Sequence, residues 1–155
     1  MDKYAGFWKR FLALIIDGII IWVIQAFVIV PLLGVLGFTM FTSMPDMSDP
    51  DEAAGMIGAL IAAIGAVWIL IITIQVLYNT FFEASKFQAT PGKMALGIIV
   101  TDTNGVKLDF TKALIRNLCK IISSFTMLIG YIIAGFTAKK QALHDMIAGT
   151  LVVNK

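Results

Sequence analysis

Two long apolar runs, separated by a short polar linker, dominate the pattern of hydrophobic and polar positions along this chain. The runs cover residues 11–36 and 53–82, and residues 37–52 between them carry four acids and no base. About 20 apolar residues suffice to cross a hydrocarbon core of about 30 Å as a helix. The pattern therefore predicts two transmembrane helices that form a hairpin, with an acidic loop at one end.

A polar stretch follows the second run and contains a helix-start motif. In Thr90-Pro91-Gly92-Lys93, Thr90 suits the N-cap and Pro91 suits the first helical position. The motif lacks the remaining glycines and the Lys-Ser/Thr pair of a P-loop. It is either a simple turn or, with Lys93 beside a helix start, a holder for a lipid phosphate.

The same stretch ends in a strand-like pattern. Residues 98–102 and 106–108 flank Asn104-Gly105, a strong short-range signal for a β-hairpin. Residues 151–153 (Leu-Val-Val) are also strand-like and suit the edge of the first of these strands. We expect a small β-hairpin that is extended by the C-terminal strand.

Residues 111–137 combine an amphipathic helix with a third apolar segment. In the helix, apolar positions lie opposite Lys112, Arg116 and Lys120, which is typical of a helix at the membrane surface. As a helix, residues 121–136 extend only about 24 Å, which is short of the hydrocarbon core. The segment is either a spanning helix or a broken, re-entrant element. We favour the second arrangement because it leaves the C-terminal strand on the side of its partner.

Charge predicts how the chain is oriented. Basic residues lie at the N-terminus and between residues 83 and 120, whereas the linker is acidic. By the positive-inside rule, the N-terminus and residues 83–110 face the cytoplasm and the linker, residues 37–52, faces outward. We expect one multi-pass domain of the cytoplasmic membrane over residues 1–155, with a cytoplasmic tail from residue 138 to residue 155.

Composition indicates an all-α integral membrane protein and excludes a soluble domain. Hydrophobic residues make up 59% of the chain and charged residues 14%, with a net charge of +2 and a mean hydropathy of +0.89. The bilayer is the expected partner, and no nucleic-acid partner is expected. A single cysteine, Cys119, excludes an internal disulfide, and with a single histidine it argues against a metal site. No cofactor is predicted.

Asp17 is an ionisable residue inside the first apolar run. A carboxylate there costs about 2.5–3.5 kcal/mol on insertion, so it needs a partner or a water-filled cavity. Arg10 lies seven residues earlier, two turns away on the same helical face. Gln75, Asn79 and Glu83 form a polar ridge on the second helix. Antiparallel packing would bring the amides of Gln75 and Asn79 to the level of Asp17.

Three motifs together resemble the RDD family of small bacterial membrane proteins. They are Arg10-x6-Asp17, residues 90–93 before a Gly-Ile-Ile-Val strand, and residues 143–153 with Asp145. The family is named for one arginine and two aspartates, and the resemblance assigns these three roles to Arg10, Asp17 and Asp145. It covers nearly the whole chain, although the acidic linker has no counterpart in the family pattern. The family has no settled biochemical activity, so the resemblance specifies architecture better than mechanism.

Two hypotheses follow for the buried charges. In the first, Arg10, Asp17 and Asp145 form an ion- or proton-responsive site with a transport-related role, such as cation or proton exchange. Alternating access usually takes more helices than this chain has, so transport implies a homo-oligomer or a membrane partner protein. In the second, the protein is a non-catalytic scaffold or accessory protein, and its buried charges only clamp the helices together.

Asp145 is predicted to cap a helix or to bind Arg10 or Arg116. Its neighbour His144 does not complete a catalytic triad, because adjacent residues do not face each other on a helix and no nucleophile has the required context. We therefore expect no enzymatic activity and assign no catalytic residue.

Overall fold

A computed structural model describes residues 3–43, 46, 48–125 and 132–155. The described part is mostly helical, with one small antiparallel sheet. In chain order its elements are α1 (Phe7–Thr42), α2 (Pro50–Ala84), α3 (Pro91–Ala95), β1 (Ile98–Asp102), α4 (Phe110–Phe125), a 3₁₀ turn (Ile133–Gly135), α5 (Leu143–Ile147) and β2 (Thr150–Asn154).

Helices α1 and α2 are long and apolar enough to cross a membrane. They contain 36 and 35 residues, so they include both predicted spans and shorten the predicted linker. Pro31 lies inside α1 and does not end it. Large apolar side chains on both helices are exposed in the isolated chain, among them Phe27 at 80% and Trp68 at 61%, as expected of surfaces that face lipid.

The sheet joins distant parts of the chain. Strands β1 and β2 pair antiparallel with Val100 opposite Val152, so the predicted pairing of the C-terminal strand is present. The N-terminus joins the same sheet, because the Ala5 N–H donates to the Val152 carbonyl at 2.9 Å and Tyr4 bridges Val153. The small core around the sheet includes Ala5, Ala13, Ile98, Val100, Leu108, Ala113 and Val152.

The predicted hairpin through Asn104-Gly105 is wrong as a pair of strands. Residues 106–108 form only an isolated bridge, between Lys107 and Thr101. Two different segments bond the edge of β1 that faces away from β2. The Val100 N–H donates to the Gln88 carbonyl at 2.7 Å, and the Asp102 N–H donates to the Val106 carbonyl. The Asp102 carboxylate instead closes a tight turn by accepting the N–H groups of Asn104 and Val106, each at 2.8 Å.

Two compact units make up the chain. One combines Met1–Ile20 with Gln75–Lys155, and the other is Ile21–Ile74. Within the second unit, the Gln25 side chain donates to the Ile71 carbonyl at 3.1 Å and links α1 to α2. The middle of the predicted third membrane segment, residues 126–131, lies outside the described residues, so its spanning or re-entrant course stays a prediction.

Candidate functional site

Arg116 is the centre of a buried charge network in the first unit. It lies on the face of α4 that also carries the buried residues Ala113 and Asn117, and it is 2% exposed. Its Nη1 donates to both carboxylate oxygens of Glu83, at 2.6 and 2.8 Å. Its Nε and Nη2 donate to Asp145 Oδ1, at 2.9 and 2.7 Å. Burial alone would lower the pKa of Arg116, but the two carboxylates outweigh it and raise that pKa, so the guanidinium stays charged.

Asp145 links α5 to α1 and α4. Its carboxylate accepts the Ala142 N–H at 3.2 Å, which caps the start of α5. It also binds Arg10, 135 residues away in the chain. Burial would raise the pKa of Asp145, but Arg116 and the other neighbouring cations hold that pKa well below its ordinary value. The structure thus brings three predicted site residues, Arg10, Arg116 and Asp145, into one cluster.

Glu83, in the last turn of α2, is the second carboxylate of this network. It is fully buried and binds Lys93 of α3 as well as Arg116. The Lys120 ammonium lies 3.3 Å from it, and the Asn117 amide donates to it at 3.1 Å. Burial lowers the pKa of Lys93, and it lowers the pKa of Lys120 to about 7, in both cases against the attraction of the carboxylate.

Sequence reasoning did not select Glu83 as a site residue. It treated Glu83 only as part of the polar ridge of the second helix. A usable signal was present, because Glu83 ends a spanning helix just before a strongly basic region. A carboxylate at such a boundary has several cations within reach, whichever way the chain folds back.

Asp17, 6% exposed on α1, is bound by the loop that precedes α3 and by the start of that helix. The Gly92 N–H donates to Asp17 Oδ1 at 2.8 Å, the Thr90 hydroxyl donates to Oδ2, and the Tyr78 hydroxyl lies 3.4 Å from Oδ1. A main-chain N–H at a helix start is a strong donor for a carboxylate. Gly92 is required here, since a Cβ would lie 2.8 Å from Asp17 Cγ and also meet the Ala13 carbonyl.

Gln75 and Asn79, the amides expected beside Asp17, are not among the hydrogen-bond partners that the structure describes for it. Gln75 is exposed, and the Asn79 side chain donates to the Gln75 carbonyl at 2.8 Å. Asn79 joins the network from another side, because its Oδ1 accepts from Lys120 at 3.3 Å. The reason is that the segment after α2 folds back and supplies its own donors to Asp17.

The lipid-phosphate role of the Thr90-Pro91-Gly92-Lys93 motif does not fit either. Pro91 is the first residue of α3, as the helix-start pattern predicts. Thr90 and Gly92 bind Asp17, and Lys93 is 9% exposed and binds Glu83. The carboxylate of Asp17 therefore occupies the place where a lipid phosphate would have bound, and the simple turn is the alternative that remains.

Ser123, His144 and Asp145 form a contact that resembles a hydrolase triad. The Ser123 hydroxyl lies 3.3 Å from His144 Nδ1, and His144 Nε2 lies 3.6 Å from Asp145 Oδ1. However, Ser123 is fully buried, and Asp145 is already bound by two guanidinium groups. Burial lowers the pKa of His144 to about 3, so its ring is neutral and a poor proton acceptor. The arrangement is suited to packing rather than to attack on a substrate.

In the part of the chain that the structure describes, acidic, cysteine and histidine side chains do not converge in a metal-binding group. Within the described ranges, no three of them are placed to hold an ion. The carboxylates of the network are bound instead by arginine, lysine and main-chain N–H groups. The Arg116 guanidinium bridges two carboxylates, a role that a divalent ion has in many metal sites.

Comparison with known proteins places these residues in a wider context. The RDD family model matches residues 4–149. An uncharacterized protein of Bacillus subtilis (strain 168), YxaI, is 34% identical over 155 residues and the full length of both chains. An uncharacterized membrane protein of the same organism, YteJ, is 30% identical over 98% of this chain and 82% of its own length. No solved structure matches.

Proposed function

The chain belongs to the RDD family, and one of its relatives is described as a membrane protein. We propose that it is a non-catalytic scaffold or accessory protein of the bacterial cytoplasmic membrane. In this role, α1 and α2 anchor a cytoplasmic cap, which consists of the sheet together with α3, α4 and α5, and the cap is the part that binds other molecules. The buried charges keep the cap in a single arrangement.

The single observation that carries the proposal is the bridging position of Arg116. One guanidinium binds Glu83 at the end of α2 and Asp145 in α5, while Asp145 also binds Arg10 in α1. Four hydrogen bonds of one planar guanidinium demand one relative placement of α2, α4 and α5. Removing one partner of such a buried pair typically costs about 3–5 kcal/mol, because the other charge is left uncompensated.

The state of the carboxylates also favours a structural role. A group that exchanges protons needs a pKa near the ambient pH. The pKa of Asp145 is held well below its ordinary value, so this carboxylate stays ionised throughout the physiological range. Both oxygens of Asp17 accept hydrogen bonds from Thr90 and Gly92, which leaves this carboxylate with fixed donors instead of a hydration shell.

A transport-related role, such as cation or proton exchange through Arg10, Asp17 and Asp145, is the second candidate. One observation favours it. The pKa of Lys120 is lowered to about 7, so this part-buried amine, 3.3 Å from Glu83, can release a proton near neutral pH. Transport by this short chain would require a homo-oligomer or a membrane partner protein.

Orientation completes the proposal. We place the N-terminus, residues 83–110 and the C-terminal strand together in the cytoplasm. Support comes from the basic residues of these regions and from the sheet, in which β1, β2 and the chain around Tyr4 are hydrogen-bonded neighbours.

Flux measurements on the purified protein in proteoliposomes test the scaffold against the transporter. With imposed gradients of Na⁺, K⁺ or protons, a scaffold gives no more flux than liposomes without protein. Asp17→Asn and Asp145→Asn are expected to lower the melting temperature, while Asp51→Asn, an exposed acid in the first turn of α2, changes it little.

A gradient-driven flux that Asp17→Asn abolishes, while the variant elutes and melts as a folded protein, would establish the transport candidate instead. If neither aspartate variant is less stable than Asp51→Asn, the structural role of the network is wrong whatever the flux.

A further inference from the structure

Helix α4 has its polarity reversed relative to a helix on the surface of a soluble protein. Its inward face carries Arg116 and Asn117, each 2% exposed. Its outward face carries an apolar stripe, which we call the outer stripe: Ile115, Leu118 and Ile122, exposed by 44%, 46% and 53%. The spacing of these three residues places them on one side of the helix.

Leaving such a stripe in water is unfavourable, by about 25 cal/mol for each Å² of apolar surface. The amphipathic pattern alone indicated a membrane-surface helix whose basic face points to water. The structure differs, because Arg116 of that basic face is turned into the protein and bound by acids. The outer stripe is thus the surface of α4 that needs an external partner.

The position of the stripe identifies the bilayer as that partner. Phe110, the first residue of α4, packs edge-on against Phe81 of α2, with ring centroids 5.5 Å apart. Phe81 is 60% exposed on a helix suited to span the membrane. The apolar surface of α2 therefore continues onto α4 without a polar interruption at this contact. Lys112, whose side chain is half exposed, lies near the same end of α4, where lipid headgroup phosphates would lie.

We infer that α4 is an interfacial membrane helix that buries its outer stripe in the acyl region of the leaflet next to the cap, while its charged face closes the Arg116 network. Helix α5, which packs against α4, exposes Met146 and Ile147 as well, by 52% and 54%. The inference requires α2 to lie in a bilayer, but it does not depend on whether the protein is a scaffold or a transporter. In this arrangement, lipid instead of water covers the side of α4 opposite the Arg116 network.

Site-directed spin labelling tests this placement. The native Cys119 is first replaced by serine, and single cysteines at Leu118 or Ile122 are labelled with a nitroxide. The protein is then reconstituted in nanodiscs of phosphatidylcholine and phosphatidylglycerol. Oxygen, which partitions into acyl chains, and a water-soluble nickel chelate compete as collision partners. We expect the ratio of oxygen to nickel collisions to be several-fold higher at both positions than at Lys107→Cys, an exposed residue in the turn before α4.

Two results would overturn the inference. Nickel collisions at Leu118 and Ile122 equal to those at Lys107 would mean that the stripe faces water. Low collisions with both reagents, together with short distances between labels on separate copies, would mean that a second chain covers the stripe. Each variant is compared with its Cys119→Ser parent by thermal melting. Two stripe positions are used so that one misfolded variant does not remove the test.

Discussion

A carboxylate inside an apolar helix is tolerated when each of its oxygens has a hydrogen-bond donor, and another segment supplies these donors to Asp17. The donors are the Gly92 N–H and the Thr90 hydroxyl, both supplied at the start of α3. A main-chain donor is fixed in space and loses no side-chain entropy on binding. Residue 92 must then be small enough to let the two chains touch.

Gly92→Ala is therefore expected to destabilise the protein. The new Cβ would lie 2.8 Å from Asp17 Cγ and 2.9 Å from its Oδ1, so the hydrogen bond has to lengthen or the helix has to shift. Overpacking of this kind costs about 1–3 kcal/mol, and a weakened bond to a charged group adds to it. Thermal melting in detergent measures the loss.

Gly18→Ala is the matched control for that experiment. Gly18 follows Asp17 on the same helix, and a Cβ there meets nothing within 4 Å. Alanine is the better helix former by about 1 kcal/mol, so this variant should melt at or above the temperature of the wild type. Equal melting of the two alanine variants would contradict the close contact at Gly92.

Lys120 predicts a pH dependence with a definite sign. Its pKa falls from 10.5 to about 7 in the folded protein because of burial. Between these values the unfolded chain binds the proton and the folded chain does not, so stability rises as the pH rises from 7 towards 10.5. Each pKa unit corresponds to about 1.4 kcal/mol in the free energy of unfolding. Because the side chain is partly exposed, we expect the total gain between pH 7 and 10.5 to be at most a few kcal/mol.

Melting temperatures measured between pH 6.5 and 9.5 check this prediction. Lys120→Met should flatten the rise, although Lys93, whose pKa is also lowered by burial, retains part of it. Lys112→Met, an exposed position on the same helix, should keep the slope of the wild type. If Lys120→Met leaves the slope of melting temperature against pH unchanged, the pKa of Lys120 is not lowered in the folded protein.

At the scale of elements, the charge network replaces an extended hydrophobic core. The apolar cluster around the sheet is small. Among the described residues, five of its seven buried members are alanine or valine: Ala5, Ala13, Val100, Ala113 and Val152. Ion pairs instead connect α1 to α5, α2 to α3 and α4 to both α2 and α5. Buried pairs of this kind specify geometry more than they add stability.

A double-mutant cycle tests the link between α1 and α5. Arg10→Gln should cost less than Arg116→Gln, because Arg116 serves two carboxylates and Arg10 binds only one of them. In an Asp145→Asn background the effect of Arg10→Gln should shrink by about 0.5–3 kcal/mol, the usual coupling between residues in contact. In a Glu83→Gln background it should stay closer to its original size. Equal coupling to both acids would refute the direct Arg10–Asp145 link.

At the scale of the whole molecule, the sheet constrains how the chain can thread through a membrane. The N-terminus, β1 and β2 are hydrogen-bonded to one another, although α1 and α2 separate them along the chain. Strands that share hydrogen bonds must lie on one side of the bilayer. Both termini are therefore expected on the same side of the membrane, as in the predicted re-entrant course of the third apolar segment.

Reporter fusions test this arrangement in cells. A reporter after Lys155 that is active only in the cytoplasm should be active, and one that is active only outside should be silent. In a Cys119→Ser background, Ser48→Cys in the acidic linker should react with an impermeant maleimide added to intact cells, and Lys107→Cys should react only after lysis. External activity of the C-terminal fusion would exclude the re-entrant course.

The amino-acid sequence by itself determined the two apolar helices, the acidic linker between them and the pairing of the C-terminal strand with β1. Each of these depends on a local period or on a contiguous run, and the RDD resemblance depends on ordered motifs. The sequence also pointed to Arg10, Asp17 and Asp145 as unusual residues, because charge near apolar segments is conspicuous without any knowledge of the fold.

Only the tertiary structure decided which charges meet. Asp17 is bound 75 residues away by the Gly92 N–H instead of by Gln75 and Asn79, and Glu83 is an equal member of the network. Such pairs depend on where the chain folds back after α2. The hydrophobic periodicity of the sequence does not indicate that position. A backbone N–H is present at almost every position, so its use as a donor leaves no mark in the sequence except the small residue, Gly92, that lets it approach.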